Sequence, residues 1–286
     1  MKKLRLICML ATLCLCVTAC GSIPDSAEHV ALEETVALQG TVEQGTGRWD
    51  YTVTTYTVSG DYCGEDGRVL SHHSYQVPRM KVKTSGKDAA SARQAAESFN
   101  AFFDAQLKEE TAWFQEMGEI AAEDRRAGAG LWDNESFRYS DETELSFWSN
   151  DRVLSVISDR VSYTGGAHAS AWRSAVTFSL STGKQVLLAE LIDDEAALDE
   201  AVTQELLRQA EERVAEDQSV YYEDYPRTLA EWQEKTLVPG DDGLTVVFGV
   251  YDLAPYAAGE QTFLLPYELI EPYLNDTGRT LLPPEE

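Results

Sequence analysis

A stripe of large apolar residues in the first half of the chain constrains the fold more than any other feature. Its members recur at steps of three and four residues, apart from one skipped turn, and so share one face of an α-helix. They are Ala96, Phe99, Phe103, Leu107, Phe114, Met117 and Ala121. Because such an aromatic stripe is typical of core packing rather than of a cofactor site, the sequence predicts a long helix packed against other elements.

Segments with the two-residue period of β-strands precede this helix. Apolar and polar residues alternate from Trp49 to Val53, as in a half-buried strand. The turn-rich residues 60–67 join this strand to a second one over residues 69–82. Pro78 makes the second strand an edge strand or a broken one, because proline donates no hydrogen bond within a sheet.

The second half of the chain repeats the order of strands, helix and strands. The apolar face of the second helix comprises Leu198, Val202, Leu206, Ala210 and Val214. The predicted strands around it are residues 145–147, 153–161, 176–180, 186–188 and 244–250. A helix between antiparallel hairpins thus occurs twice. This predicts an α+β fold of two small modules, in each of which a long helix packs on β-hairpins.

The N-terminus has the pattern of a bacterial lipoprotein signal. A short basic segment and an apolar run over residues 6–17 lead into the lipobox VTAC, which ends at Cys20. The run is shorter than the ~20 residues that span a membrane. The resemblance to lipoprotein signals implies cleavage before Cys20 and acylation of its sulfur, for example with palmitate. Two or more acyl chains hold a protein durably at a membrane. The alternative is an ordinary cleaved signal with a chance cysteine.

These patterns divide the chain into five parts. They are a signal peptide (1–19), the lipidated cysteine with a flexible tether (20–45), an N-terminal α+β module (46–138), a C-terminal domain (139–276) and a tail (277–286). Once the signal is removed and Cys20 is acylated, Cys63 is the one unmodified cysteine left. No intramolecular disulfide is then possible, which suits a Gram-positive cell surface.

The acidic balance of the chain restricts its partners. The formal net charge is −26, and the signal peptide takes three basic and no acidic residues with it, which leaves −29. Such a surface repels nucleic acid and anionic lipid headgroups. It would attract a strongly basic partner, although solubility alone is an equally good reason for this charge.

The residues that could carry catalysis or bind a metal are scattered. No GxSxG elbow is present, and Cys63 has no partner motif. His72 and His73 are adjacent on a predicted strand and therefore point to opposite faces. Acidic residues at 61–66 lack the ligand spacing of a calcium loop. The sequence therefore predicts a binding protein without a metal or cofactor, and not an enzyme.

Two motifs are more specific than these scattered residues. YTGGAH (Tyr163–His168) ends a strand, and its two glycines permit a turn that other residues cannot make. YDLAPYAAG (Tyr251–Gly259) follows the best-alternating strand and places Tyr251 and Tyr256 around Pro255. Tyrosines on rigid loops are good contact anchors. The alternative is that both motifs are fold-holding turns with buried aromatic rings.

Both motifs also contribute to a resemblance. YTGGAH, VTFSLSTGKQVLLAEL, DDGLTVVFGVYDLAPYAAG and LLPYELI follow one another over residues 140–275. In order and spacing they resemble the extracellular domain of the RsiV family of lysozyme-sensing anti-sigma factors. Residues 46–135 are similar to the module that precedes this domain and that also occurs in PdaC-type peptidoglycan deacetylases. The resemblance implies an α+β fold and an extracytoplasmic binding role.

The resemblance also implies contact residues for a lysozyme. By position in the motifs, the candidates are Pro255, Tyr256, Ala258, Tyr251, Tyr163 and His168. Two properties of the relatives do not carry over. A lipobox stands where RsiV has its cytoplasmic and spanning segments, so anti-sigma activity is not expected. Nothing in this sequence resembles the deacetylase catalytic domain, so deacetylase activity is not expected.

We therefore expect a lipid-anchored protein on the extracytoplasmic face of the cell membrane that binds, and could inhibit, a basic lysozyme-like muramidase. The alternative is a peptidoglycan-associated module of the cell envelope without catalysis.

Overall fold

The structure is a computed structural model. It describes residues 34–44, 47–83, 89–128, 130–218 and 220–282. The predicted lipobox, Cys20 and the signal peptide lie outside these residues. Among the described residues, no helix is both long and apolar enough to cross a membrane.

Most of the strands form one six-stranded sheet in chain order. They are β1 (Glu34–Gln44), β2 (Gly47–Cys63), β3 (Val69–Lys83), β4 (Tyr139–Ser149), β5 (Val153–Tyr163) and β6 (Ser170–Ser179). All neighbours pair antiparallel except β3 and β4, which are parallel. A second sheet contains β7 (Thr236–Pro239), β8 (Gly243–Phe248) and β9 (Gln261–Pro266). The predicted α+β class is confirmed.

The predicted long helix is α1 (Ala89–Arg126), which connects β3 to β4 and packs on the sheet. All seven residues of the predicted stripe are buried. The skipped turn of the stripe contains Glu110, whose carboxylate lies 2.7 Å from the guanidinium of Arg160 on β5. The interruption in the apolar pattern therefore marks an ion pair between helix and sheet.

The helices of the second half follow the sequence pattern in part. α2 (Glu195–Glu216) buries Leu198, Val202, Leu206 and Ala210 as predicted. Its first turn is capped by Asp194, whose carboxylate accepts a hydrogen bond from the Ala197 N–H at 3.0 Å. The other helical segments are short: α3 (Tyr225–Leu229), α4 (Tyr267–Ile270), α5 (Asp276–Leu281), and 3₁₀ turns at Gly130–Asp133, Leu188–Leu191, Trp232–Glu234, Tyr256–Ala258 and Glu271–Tyr273.

The end of the predicted tether is folded. Residues 34–44, assigned to the flexible segment 20–45, form the edge strand β1 and pair with β2 from Glu34↔Tyr56 to Gln44↔Gly47. The pairing has a register shift between Val36 and Leu38. Backbone hydrogen bonds with β2 define this edge strand.

Two further assignments change at the ends of elements. The predicted strand 186–188 is absent, because the chain leaves the sheet after a single bridge between Phe178 and Gln185 and enters a 3₁₀ turn. Part of the predicted tail, 277–286, belongs to helix α5, which begins at an Asn275 cap.

The six-stranded sheet continues across the predicted boundary at residues 138 and 139. β3 and β4 pair in parallel from Ser71↔Tyr139 to Tyr75↔Thr143. One core cluster under α1 joins Val53 of β2 to Leu154 of β5. The division into two modules stays a prediction. The segments on both sides of it share a sheet and a core.

Candidate functional site

The two sequence motifs meet at one place on the surface. YTGGAH belongs to the β5–β6 connection, and YDLAPYAAG belongs to the β8–β9 connection. The two sheets are held side by side because the Thr236 hydroxyl of β7 donates to the Arg173 carbonyl of β6 at 2.9 Å. Arg173 also lies 3.7 Å from the carboxylate of Glu260, which directly follows the second motif. These contacts bring together segments about eighty residues apart in the chain.

His168, Tyr251 and Tyr256 form what we call the histidine–tyrosine cluster. The imidazole of His168 stacks on the Tyr256 ring, with centroids 3.6 Å apart and planes 14° from parallel. His168 Nε2 lies 2.8 Å from the Tyr251 hydroxyl. The Tyr256 hydroxyl donates to the Ala169 carbonyl at 3.0 Å. The His168 ring is thereby held by Tyr251 and Tyr256 of the second motif, and the Tyr256 ring is held by His168 and Ala169.

The hydrogen bonds of His168 define its tautomer. Its Nδ1 lies 3.1 Å from the Ala169 carbonyl, which can only accept a hydrogen bond. In the neutral imidazole the proton is therefore on Nδ1, and Nε2 accepts from the Tyr251 O–H. The Ala169 carbonyl thus accepts from both His168 and Tyr256 and orients the two rings.

Tyr251 is held in an unfavourable backbone conformation. Its φ of 71° is the only positive φ of a non-glycine residue in the part of the chain that the structure describes. Such a conformation costs an L-residue about 1–2 kcal/mol. The loop is held by the Asp252 carboxylate, which accepts from the Gly249 N–H at 3.0 Å and pairs with Lys235 at 3.0 Å. Even so, Tyr251 is 52% exposed. Strain of this kind concentrates at functional sites.

The remaining candidates of the second motif are presented to solvent. Pro255 and Ala258 are exposed, whereas Leu253 and Ala254 before them are buried in the core of the second sheet. The Ala258 N–H donates to the Pro255 carbonyl at 2.8 Å and closes a 3₁₀ turn. A buried base and a closed turn make this loop a rigid projection.

Tyr163 has a different role from the cluster. Its hydroxyl donates to the Gly166 carbonyl at 3.1 Å within its own loop, and its ring lies edge-on to Phe137, 6.1 Å away. Gly165 and Gly166 have φ of 99° and 102°, as the predicted glycine turn requires. A Cβ at Gly165 would lie 2.8 Å from a methyl group of Leu131. Tyr163 therefore shapes the loop that carries His168.

Two exposed residues beside the site were missed in the sequence. Tyr222 is exposed, and its N–H donates to the Leu253 carbonyl at 2.8 Å, which places it against the second motif. Leu131 is exposed beneath Gly165. Neither belongs to a recognisable motif. The pairing of the loops that places them there is not visible in periodicity.

The other sequence candidates are accounted for by local contacts. His72 and His73 point to opposite faces, as predicted: His72 Nδ1 lies 2.7 Å from Asp61, whereas His73 is buried. Burial lowers the pKa of His73 to about 4. Asp66 forms a two-point ion pair with Arg125. The hydrogen bonds that the Arg125 guanidinium donates lower the pKa of the Asp66 carboxyl. The described segments contain no group of three or more ligand-type side chains that could hold a metal.

A cluster of charged and polar side chains lies beneath α1, away from the two motifs. The carboxylate of Asp141 is completely buried and accepts hydrogen bonds from the Tyr75 hydroxyl at 2.7 Å, Trp113 Nε1 at 3.2 Å and Arg160 Nε at 2.8 Å. Arg160 also pairs with Glu110, the pKa of which is raised by burial. Because the Asp141 oxygens are surrounded by donors, this group joins α1 to the sheet and has little capacity left for chemistry.

Comparisons with known proteins support the fold, and one family model matches part of the chain. Residues 187–268 match the family "Protein of unknown function (DUF3298)", and the match includes the Tyr251–Gly259 loop but not His168. No curated protein sequence is significantly similar to the chain. Solved structures of DUF3298 family proteins are similar in fold. The one from Bacteroides fragilis has a TM-score of 0.54 at 17% identity, covering 79% of this chain and 94% of the other.

A second DUF3298 structure, from Pseudomonas aeruginosa, has a TM-score of 0.51 at 14% identity and covers 78% of this chain and 94% of the other. At these identities the likeness concerns the fold alone. Because it extends over more than three quarters of the chain, it includes strands and helices outside the matched residues 187–268.

Proposed function

We propose that this chain is a lipid-anchored, extracytoplasmic binding protein that captures a basic lysozyme-like muramidase through its histidine–tyrosine cluster. The observation that carries the proposal is the contact between two separate motifs, in which His168 stacks on Tyr256 and bonds Tyr251. The RsiV-like resemblance of both motifs supplies the class of partner.

The geometry of the cluster suits recognition of a protein surface. Tyr251 and Pro255 are exposed, yet both belong to a loop whose base is buried. Aromatic side chains that are ordered before binding lose little conformational entropy in the complex. They also bury a large contact area. A preformed aromatic projection of this kind fits a concave surface such as an enzyme cleft.

The charge of the chain supports a basic partner. At a formal net charge of −26, the protein attracts a cationic protein over several ångströms beyond contact. Such steering raises the association rate and weakens as salt screens it, with a Debye length of roughly 8 Å at physiological ionic strength. Complementary charge thus raises the association rate, and the contacts of the cluster determine the specificity.

The proposed anchor places this binding outside the membrane. Acylated Cys20 would hold the domain near the cell wall, where muramidases act. A lipid anchor without a spanning helix does not pass a proteolytic signal inward by itself. The proposed effect is therefore capture or inhibition at the surface, without catalysis by this chain.

Isothermal titration calorimetry with a basic lysozyme tests the proposal. We expect a 1:1 complex whose affinity falls as salt is raised and is lost on Tyr256→Ala. Ile120→Ala is a matched control, because Ile120 is an exposed apolar residue on α1, outside the cluster. Absence of binding at low salt would refute the lysozyme proposal. Equal loss in the control variant would show that the cluster is not the site.

A second candidate function is attachment to the glycan of the cell wall. Two tryptophans, Trp113 and Trp172, are 39% and 42% exposed. Trp113 donates to Asp141, and the Arg160 guanidinium lies 5.3 Å from the Trp172 ring centroid, so both rings are fixed around one ion cluster. Flat exposed rings can stack on sugars. Co-sedimentation with sacculi stripped of teichoic acid, and its loss on Trp172→Ala, would support this function over muramidase capture.

A further inference from the structure

A recess beneath helix α1 gives the second candidate function a specific site. It lies between the helix and strands β3 to β6 and has a cavity volume of about 40 Å³. A single water molecule requires roughly 10–15 Å³ of such volume, so the recess has room for about three groups of that size. We call it the Ser158 recess. Four polar and two aliphatic residues of its lining define it, which are Gln106, Glu110, Ser158, Ser174, Val156 and Val176.

The recess follows from the residues on one face of the sheet. Ser158 of β5 pairs with Ser174 of β6. Four residues along the same strands, and therefore on the same face, Leu154 pairs with Phe178. Leu154 and Phe178 are completely buried against the phenylalanines of α1. Two small serines in place of such large side chains leave the recess under the helix.

The polar groups of the recess can bond a ligand. Among the described residues, the side chains of Gln106, Ser158 and Ser174 form no hydrogen bond. Glu110 is bonded by Arg160, whose Nη1 lies 2.9 and 2.7 Å from its two carboxylate oxygens. A carboxylate has about four acceptor positions, so the Glu110 oxygens can accept further hydrogen bonds. The recess thus offers both donors and acceptors to a ligand.

An exposed aromatic ring lies beside the recess. Trp172 is two residues from Ser174 on the same face of β6 and pairs with Arg160 of β5. The Arg160 guanidinium lies over the Trp172 ring, 5.3 Å from its centroid. Because the guanidinium occupies one face of the ring, the 42% exposure of Trp172 leaves the other face for a ligand. A pyranose sugar suits such a place, since its C–H face stacks on a ring and its hydroxyls form hydrogen bonds at the edge.

The ligand that fits this place is neutral. Arg160, the cation beside the recess, is already paired with Asp141 and Glu110. The Glu110 carboxylate and the formal net charge of −26 disfavour an anion. The two valines of the recess provide an apolar wall. The group that enters should therefore be small and uncharged, with hydrogen-bonding atoms and an apolar end.

We propose that this site binds an N-acetylated hexosamine unit of a glycan, with the acetamido group in the Ser158 recess and the sugar ring on Trp172. The acetamido methyl lies against the valines of the recess. Its carbonyl and N–H bond the Gln106 amide and the serine hydroxyls, and Glu110 accepts from a sugar hydroxyl. This inference rests on the second candidate function, attachment to the glycan of the cell wall, and names the group that is recognised. It is independent of the histidine–tyrosine cluster.

Calorimetry of the purified protein with triacetylchitotriose tests the inference, and cellotriose is the comparison. The two trisaccharides are neutral, have the same linkage and differ at C2, where cellotriose has a hydroxyl in place of the acetamido group. We expect triacetylchitotriose to bind 1:1 and at least about tenfold more tightly, because one buried methyl and one hydrogen bond together contribute about this much. Equal affinities, or no binding of triacetylchitotriose, would overturn the inference.

Two variants test the two parts of the site. Ser158→Leu fills the recess and should lower the affinity for triacetylchitotriose to that for cellotriose, with the affinity for cellotriose unchanged. Trp172→Ala removes the stacking ring and should weaken the binding of triacetylchitotriose at least about tenfold. Unchanged selectivity in Ser158→Leu, or unchanged affinity in Trp172→Ala, would refute the proposed geometry.

Matched substitutions outside the site control for general effects. Ser59→Leu changes a half-buried serine of β2, and Tyr222→Ala removes an exposed aromatic ring beside the second motif. Neither should alter the affinity for either sugar, and an equal loss in these controls would refute the site. Thermal unfolding would verify that each variant is folded. If Trp172→Ala is unfolded, Trp172→Tyr, which retains a flat ring, should bind triacetylchitotriose more tightly than Trp172→Leu does, and the reverse order would refute the stacking.

Co-sedimentation with sacculi separates this inference from the function on which it rests. Sacculus binding that triacetylchitotriose displaces and that Ser158→Leu weakens would support both. Sacculus binding without affinity for triacetylchitotriose would overturn the inference and leave attachment to the cell wall in place. Binding of triacetylchitotriose without sacculus binding would support the inference and refute the cell wall as the source of the glycan.

Discussion

The strained backbone at Tyr251 predicts a reversal of the usual ranking of glycine and alanine. In ordinary backbone conformations glycine is less stable than alanine by about 0.5–1 kcal/mol. At a φ of 71° the penalty falls on any residue with a Cβ, and it amounts to about 1–2 kcal/mol. Subtracting the entropic disadvantage of glycine leaves Tyr251→Gly more stable than Tyr251→Ala by about 0.5–1 kcal/mol.

The comparison between the two variants isolates the backbone. Both remove the same ring and the same hydrogen bond to His168, which lies 2.8 Å from the Tyr251 hydroxyl. Urea denaturation would measure the difference in the free energy of unfolding. At Ile120 of helix α1, the same two substitutions should rank in the ordinary order, with glycine less stable by about 1 kcal/mol. Alanine more stable than glycine at both positions would refute the argument that strain is stored at the site.

Further predictions concern the core and its ion pairs. Asp141→Asn should lower the free energy of unfolding by about 3–5 kcal/mol, because it leaves Arg160 buried beside a neutral partner. Asp104→Asn, at an exposed ion pair, should lower it by no more than about 1 kcal/mol. Urea denaturation measures both changes. Burial lowers the pKa of His73 from 6.5 to about 4, so below 6.5 the unfolded chain binds more protons than the folded one. The free energy of unfolding should therefore fall as pH drops from 6.5 to 4. The fall should be about 3 kcal/mol larger in the wild-type protein than in His73→Gln, as measured by urea denaturation at each pH. Gly183→Ala should destabilise the fold by more than about 1 kcal/mol, measured as a fall in Tm, because φ is 66° and the new Cβ would overlap the Ala95 carbonyl.

Elements with a strong local period could be predicted from the sequence, and elements defined by their partners could not. The α1 stripe identified the helix, and the turn it skipped contains Glu110, the helix partner of Arg160. β1 was missed, because an edge strand with a register shift depends on backbone pairing with β2. The parallel pairing of β3 with β4 joins strands separated by a 38-residue helix. Periodicity carries no information about such contacts.

The candidate site shows the same division. Both motifs were recognised from their glycines, tyrosines and proline, since these residues mark rigid loops. That His168 of one motif would stack on Tyr256 of the other could not be predicted, because it depends on the packing of β7 beside β6. The Ala169 carbonyl, which orients both rings, is a backbone group that any residue would supply.

The proposed function requires a basic muramidase to contact the histidine–tyrosine cluster itself. Nuclear magnetic resonance of the protein with isotope-labelled tyrosine and histidine, titrated with a basic lysozyme at low salt, locates the contact surface residue by residue. We expect shifts to concentrate on His168, Tyr251 and Tyr256, with Tyr56 and Tyr267 unchanged as internal controls. Shifts confined to tyrosines outside the cluster, or no shifts at a saturating concentration of lysozyme, would contradict it.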